Sequence, residues 1–364
     1  MLGSRREPKI WFNYSLGHKS SPRMNAKSFA RCCDCCDQSE ISRRSFIKTA
    51  VTGIAAAGAG RLPLLASQEP TTRPLVEGSS ETLVATLYQS LSEAQRQTVV
   101  FPFDHPLRSK VDNNWQITDK KIGEFFTADQ QAMIKEIFLG LHSPEYAETV
   151  FKQVEHDSGN AGFGGSAVAL FGEPGTGKFE FVLTGRHCTR RCDGDSVAGA
   201  AFGGPIFYGH AAQSFNEKPD HPGNAYWYQA LRANEVFKAL DGKQRAQALL
   251  GEGREEKGTE TVKLSGRKKG LPGIPMTALS HDQRDLVRKV LADLLAPFRQ
   301  ADSAEAMKLI ERNGFEHLHM AFYKNQDVGK DGVWDVWQIE GPAMVWYFRG
   351  DPHVHVWAHI RSAA

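Results

Sequence analysis

From Glu81 onward the apolar residues recur at helical spacing. Leu83, Leu87 and Leu91 fall at i, i+4 and i+8, one stripe of an amphipathic helix. The stripe returns over 127–141, with Thr127 at the N-cap and Met133, Ile134, Ile137, Phe138 and Leu141 apolar. A shorter helix is predicted over 145–154. The character then changes to short β-rich runs over 166–171 and 178–187, separated by Gly and Pro, which together read as a hairpin. Gly203-Gly204-Pro205 marks a loop. Helical spacing resumes over 225–240 and 244–250, and again over 282–298 and 303–313, with a Gly/Lys/Arg-rich loop at 251–275 between the two pairs. The chain closes on four strand-like runs: 316–323, 334–340, 343–349 and 353–360, the last two joined by a turn at Gly350-Asp351-Pro352.

Strands that succeed one another without intervening helices pair antiparallel, and helices that segregate from strands indicate an α+β fold. The expected architecture is helices packed on a predominantly antiparallel sheet in a single domain over 80–364. No internal repeat is visible in the pattern.

Ahead of that domain the composition is different. Residues 1–66 are strongly basic, whereas the remainder is mildly acidic, so the overall net charge of +2 belongs to the leading segment. A mildly acidic body argues against phosphate-directed binding of nucleic acid. Within the leading segment, Ser42-Arg43-Arg44-Ser45-Phe46-Ile47-Lys48 has the form of a twin-arginine export signal. A weakly apolar run over 49–60 comes next, and Leu64-Leu65-Ala66 offers a cleavage end. About a dozen residues cannot span a bilayer, which takes roughly 20. The expectation is therefore a leader (1–66), a linker (67–79), engagement by the twin-arginine export machinery, a periplasmic or secreted location, and no stable membrane insertion after cleavage. Met24 offers an alternative start that would leave 1–23 untranslated. Cys32-Cys33-Asp34-Cys35-Cys36 precedes the arginine pair and departs with the leader. That leaves Cys188 and Cys192. In one strand their Cα atoms would lie roughly 13 Å apart, too far for a disulfide. A bridge requires a turn at Thr189-Arg190-Arg191.

Two features suggest chemistry. Gly172-Glu173-Pro174-Gly175-Thr176-Gly177-Lys178 has the spacing of a phosphate-binding loop, but Phe179 replaces the magnesium-binding hydroxyl. Residues 179–184 have a strand pattern where such a loop needs a helix, so the glycines read as a hairpin turn. The histidines are more suggestive. In the terminal strand His353, His355, Trp357 and His359 share one face, and Val354, Val356, Ala358 and Ile360 share the other. Histidines at i and i+2 sit about 6.6 Å apart, close enough to chelate one ion. His187 and His210 are candidates for a third ligand, and Gln338 and Glu340 share a strand face that can supply a carboxylate. Asp104-His105 is a further candidate. His142, His156, His221 and His281 read as surface or loop residues.

The chain resembles the bacterial family known as domain of unknown function 3500 over about 81–360. The resemblance rests on Asp104-His105-Pro106-Leu107-Arg108 with Trp115, on Ser143-Pro144-Glu145-Tyr146, and on Gly185-Arg186-His187. Further marks are Phe202-Gly203-Gly204-Pro205, Gln283-Arg284, and the closing Gly341-Pro342 with His353-Val354-His355. Cys188 and Trp357-Ala358-His359 depart from the family pattern and indicate a divergent branch. The resemblance implies that His187, His353 and His355 are shared features, with His210 and His359 specific to the branch. It implies no reaction.

Two functions remain open on this reading. One is a metal-dependent, hydrolase-like enzyme using zinc, copper or iron, with His187, His353, His355 and His210 as ligands. Glu340 would act as base or fourth ligand, Arg186 would stabilise an anion, and Trp337, Trp346 and Trp357 would line a cleft. Copper or iron would turn the same cluster to redox chemistry. The other is a non-catalytic envelope protein binding a saccharide or other small molecule on an aromatic platform, with structural histidines.

Overall fold

The computed structural model describes residues 78–211, 221, 223–325 and 333–363. The twin-arginine motif and the upstream cysteines lie outside them. The described residues belong to one compact unit built on a mixed sheet of eleven strands.

The strands are β1 (Val100–Phe101), β2 (Ala167–Gly172), β3 (Phe179–Gly185), β4 (Cys188–Cys192), β5 (Ile206–His210) and β6 (Leu249–Leu250). They continue with β7 (Ile274–Pro275), β8 (His319–Tyr323), β9 (Val336–Gly341), β10 (Met344–Arg349) and β11 (Val354–Ile360). Their order is β1-β2-β3-β4-β5-β11-β10-β9-β8-β6, with β7 beside β8. The expected antiparallel pairing holds for most of the sheet. The short outermost pairs, β1 with β2 and β6 with β8, are parallel. Two meanders, β2 to β5 and β8 to β11, meet at a seam where β5 pairs antiparallel with β11.

The helices are α1 (Ser80–Ser90), α2 (Glu93–Val99), α3 (Ile122–Phe125), α4 (Ala128–Gly140) and α5 (Ala147–Asp157). After the first meander come α6 (Trp227–Ala239), α7 (Gly242–Ala248), α8 (His281–Leu295) and α9 (Gln300–Arg312). They pack their apolar stripes on one face of the sheet, where Val354, Val356, Ala358 and Ile360 of β11 join the main core. None of the described helices is long and apolar enough to cross a membrane. The other face is covered by irregular segments C-terminal to β1 and β6. They lay Val111, Ile117, Val262 and Leu264 against Phe207, Val182, Tyr347 and Trp357. Both faces are thus buried, and the strands lack the alternating exposure of a one-sided sheet.

Several expectations change. Cys188 to Cys192 is a strand, so the two buried thiols stay free. Trp337, Trp346 and Trp357 are fully buried core residues and line no cleft. His142 is buried, its Nδ1–H donating to the Phe138 carbonyl and its Nε2 accepting from Arg190. The phosphate-loop look-alike forms the β2–β3 hairpin turn, with the Glu173 amide donating to the Lys178 carbonyl.

The largest correction concerns repetition. The order helix, helix, edge strand, helices, four-stranded meander occurs twice. α2 and α7 each start with a capping box, Ser92 with Gln95 and Asp241 with Gln244. So do α4 and α8, through Thr127 with Gln130 and Ser280 with Gln283. The Gln95 amide donates to Gln130 Oε1 and to the Phe125 carbonyl, while Gln244 donates to Gln283 Oε1 and to the Ala278 carbonyl. Gln130 returns to the Ser90 carbonyl and Gln283 to that of Ala239. The hairpin registers also match, Gly185 facing Cys188 and Gly341 facing Met344. The chain is two similar halves joined at the β5–β11 seam.

Candidate metal centre

At one end of the seam three histidines converge. His187 is the second loop residue of the tight β3–β4 hairpin, with φ +53°. Its amide donates to the Asn113 carbonyl at 2.9 Å. Left-handed backbone costs a non-glycine residue roughly 1–2 kcal/mol, and strain of this kind gathers at functional sites. The hairpin closes over Gly209 of β5, which faces His355 across the seam. A Cβ at Gly209 would meet the His187 side chain and collide with the Val354 carbonyl, so only glycine allows this approach. His355 lies within β11, and His353 immediately precedes the strand.

His187 Nε2 lies 3.1 Å from His355 Nε2, and His355 Nε2 lies 3.0 Å from His353 Nε2. Each buried ring is fixed from behind. His187 Nδ1–H donates to Asp157 Oδ2 at 2.8 Å, and His355 Nδ1–H donates to Glu256 Oε2 at 2.7 Å. Carboxylates accept, so both protons sit on Nδ1 and both Nε2 atoms present lone pairs to each other. Such a contact is repulsive unless a cation shares it. His353 and His355 hold a proton poorly. Burial, with the neighbouring rings and the charges of Arg349 and Arg186, pushes His353 down to about 3. Burial outweighs the Glu256 bond at His355 and holds it at about 4. A divalent ion fits. Histidine rings backed by carboxylates, with nitrogens converging on one point, are the usual anatomy of a metal ligand set. His353 is half-buried, which leaves the outer side of the triad open.

The supporting carboxylates are themselves anchored. Asp157, at the end of α5, accepts from the Gln153 side chain at 2.7 Å and from the Ala211 amide at 3.1 Å on each oxygen. Burial pushes the Glu256 carboxyl up. The bond from His355 and the charge of Arg349 outweigh it, and the group ends below its ordinary range.

The other expected residues are placed differently. His210 lies outside the triad. Its Nδ1 is 2.8 Å from Gln153 Nε2, and with His156 and Asp157 it forms a second group that could hold a metal. Asp157 already accepts on both oxygens, so this group works here as support for His187. Glu340 faces His319 and Val345, ion-paired to Arg254 at 2.6 Å and bonded to Gln338. The carboxylates that reach the histidines are Asp157 and Glu256, the latter from the Gly/Lys/Arg-rich loop between the two pairs of helices. Arg186 is exposed in the His187 hairpin, near enough for its charge to act on His353. His105 accepts from the Leu107 amide and packs at a tilt against the Phe101 ring. His359 donates from Nδ1 to the Val262 carbonyl. Asp157 and Glu256 carry no local sequence signal, because the sheet brings them to the triad from segments distant in the chain.

No curated protein and no solved structure matches the chain. A family model described as "Protein of unknown function (DUF3500)" matches residues 78–363, and the protein belongs to that family.

Proposed function

We propose that the protein is exported folded by the twin-arginine route and acts outside the cytoplasm as a metal-dependent, hydrolase-like enzyme. His187, His353 and His355 are its ligands. The observation that carries this reading is the pair of facing Nε2 lone pairs, each fixed by a carboxylate behind its ring. A divalent ion held by three neutral imidazoles supplies Lewis acidity and brings the pKa of a water toward neutrality. The remaining work falls to the chain. Asp157 and Glu256 hold two rings in one tautomer. Arg186, on the open side, offers a guanidinium to a substrate anion or to charge that develops during reaction. Zinc suits this all-imidazole set, and copper and iron are accepted by the same donors. Trp337, Trp346 and Trp357 are buried and do not line the enzyme's cleft.

Metal-stripped protein should recover hydrolysis of a p-nitrophenyl carboxylic, phosphate or sulfate ester when zinc, copper or iron is restored, and His353→Ala should not recover it. Hydrolysis indifferent to metal, or none by loaded protein on any of the three esters, would overturn the enzymatic reading. Export is tested separately. Changing Arg43 and Arg44 together to Lys should leave unprocessed precursor in the cytoplasm. Normal processing of that double variant would remove the export assignment.

A further inference from the structure

The two-fold repetition of the fold implies two equivalent clefts, one at each end of the β5–β11 seam. Matching registers carry one onto the other. Gly185 corresponds to Gly341, so the hairpin residue His187 corresponds to Ala343. Cys188 faces Tyr208 as Met344 faces Ile360, which sets Phe207 against His359 and Gly209 against Arg361. Arg361 is bridged to Ala200, so Ala200 is the counterpart of His355, which faces Gly209. The bridge of Asn114 to Arg186 has its counterpart in the bond from the Gly266 amide to the Pro342 carbonyl. Where one cleft has the imidazoles of His187 and His355, the other has the methyl groups of Ala343 and Ala200. Side chains that small leave space.

Beside Ala200 is a cavity of about 350 Å³, lined among others by Arg108, Gly203, Val262, His359 and Arg361. Its size suits one small organic molecule. The charge around it is predominantly positive. Arg108 pairs with Glu180, Lys263 with Glu260, and Arg361 has no carboxylate partner among the described residues. Arg191 lies buried just beneath Gly204, bonded to Glu180 and to the carbonyls of Pro205 and Lys110. Asp193 sits behind Gly203, and burial raises its carboxyl to about 7. His359 keeps its proton on Nδ1 for the Val262 carbonyl and has an accepting Nε2. Val197, Ala200 and Leu264 add apolar wall.

We propose that this second cleft is a metal-free binding site for a small organic anion, with Arg361 as its principal anchor. A guanidinium matches an oxyanion in two parallel hydrogen bonds. The apolar wall takes the ligand's body.

Benzoate and phenyl phosphate are suitable probes, with benzamide as the neutral match. Titration calorimetry of the metal-free protein should show saturable binding of at least one of the two anions and none of benzamide. Arg361→Gln, at an exposed side chain, should weaken binding at least tenfold. His353→Ala, at the opposite end of the seam, should leave it unchanged. No saturable binding of either anion, equal binding of benzamide, or loss of binding in His353→Ala with retention in Arg361→Gln would each overturn the proposal.

Discussion

At the scale of single residues, the centre depends on which nitrogen carries each proton. His187 and His355 both commit Nδ1–H to carboxylates, so each neutral ring directs an accepting Nε2 inward. The same logic appears at His142, where it has no chemical consequence. There Arg190 donates to the inward nitrogen, and burial holds the ring at about 3. The triad lacks such a donor. Glu256→Gln tests the arrangement with little change in volume, because an amide holds the ring less firmly and lowers ligand basicity. Metal affinity should fall roughly 10- to 100-fold, measured by competition with a chromogenic chelator, while far-ultraviolet circular dichroism stays unchanged. Unaltered affinity would make Glu256 a bystander. Two of the three clustered histidines were legible as a His-x-His pair, and His187 as a candidate that the family resemblance favours. Their carboxylate partners were not.

At the scale of elements, the long helices, the β2–β3 hairpin and the closing strands were all legible in hydrophobic period. β4 was not. Cys-Thr-Arg-Arg-Cys reads as polar, yet the strand is buried because Arg191 pairs with Glu180 and Arg190 with His142. The repeat was hidden for a related reason. What the halves share is four capping glutamines and a set of registers, whereas their apolar residues have diverged. β11 contributes a pH effect. Burial, aided by Arg361 and Arg191 and opposed by the Val262 carbonyl, puts His359 at about 4 against about 6.5 for an unfolded histidine. The folded state binds fewer protons between these values. Stability is therefore full above pH 6.5 and falls as pH drops toward 4. In urea melts of metal-free protein at pH 7 and pH 5, His359→Gln should show a smaller acid loss than the wild type. Equal losses would mean that His359 titrates normally.

At the scale of the whole molecule, one meander supplies His187 and the other supplies His353 and His355, so the centre exists only when the seam is closed. An ion bound there links the two halves and binds only the native state, which raises stability by mass action. The most direct test is the metal content of protein purified without chelator, measured by elemental analysis alongside a thermal melt. The account predicts close to one zinc, copper or iron ion per chain, reduced by His→Ala at 187, 353 or 355 but not at the exposed His281. It also predicts a lower Tm after chelation that recovers when the ion returns. Wild-type protein free of these metals, with a Tm indifferent to zinc, copper and iron, would contradict it.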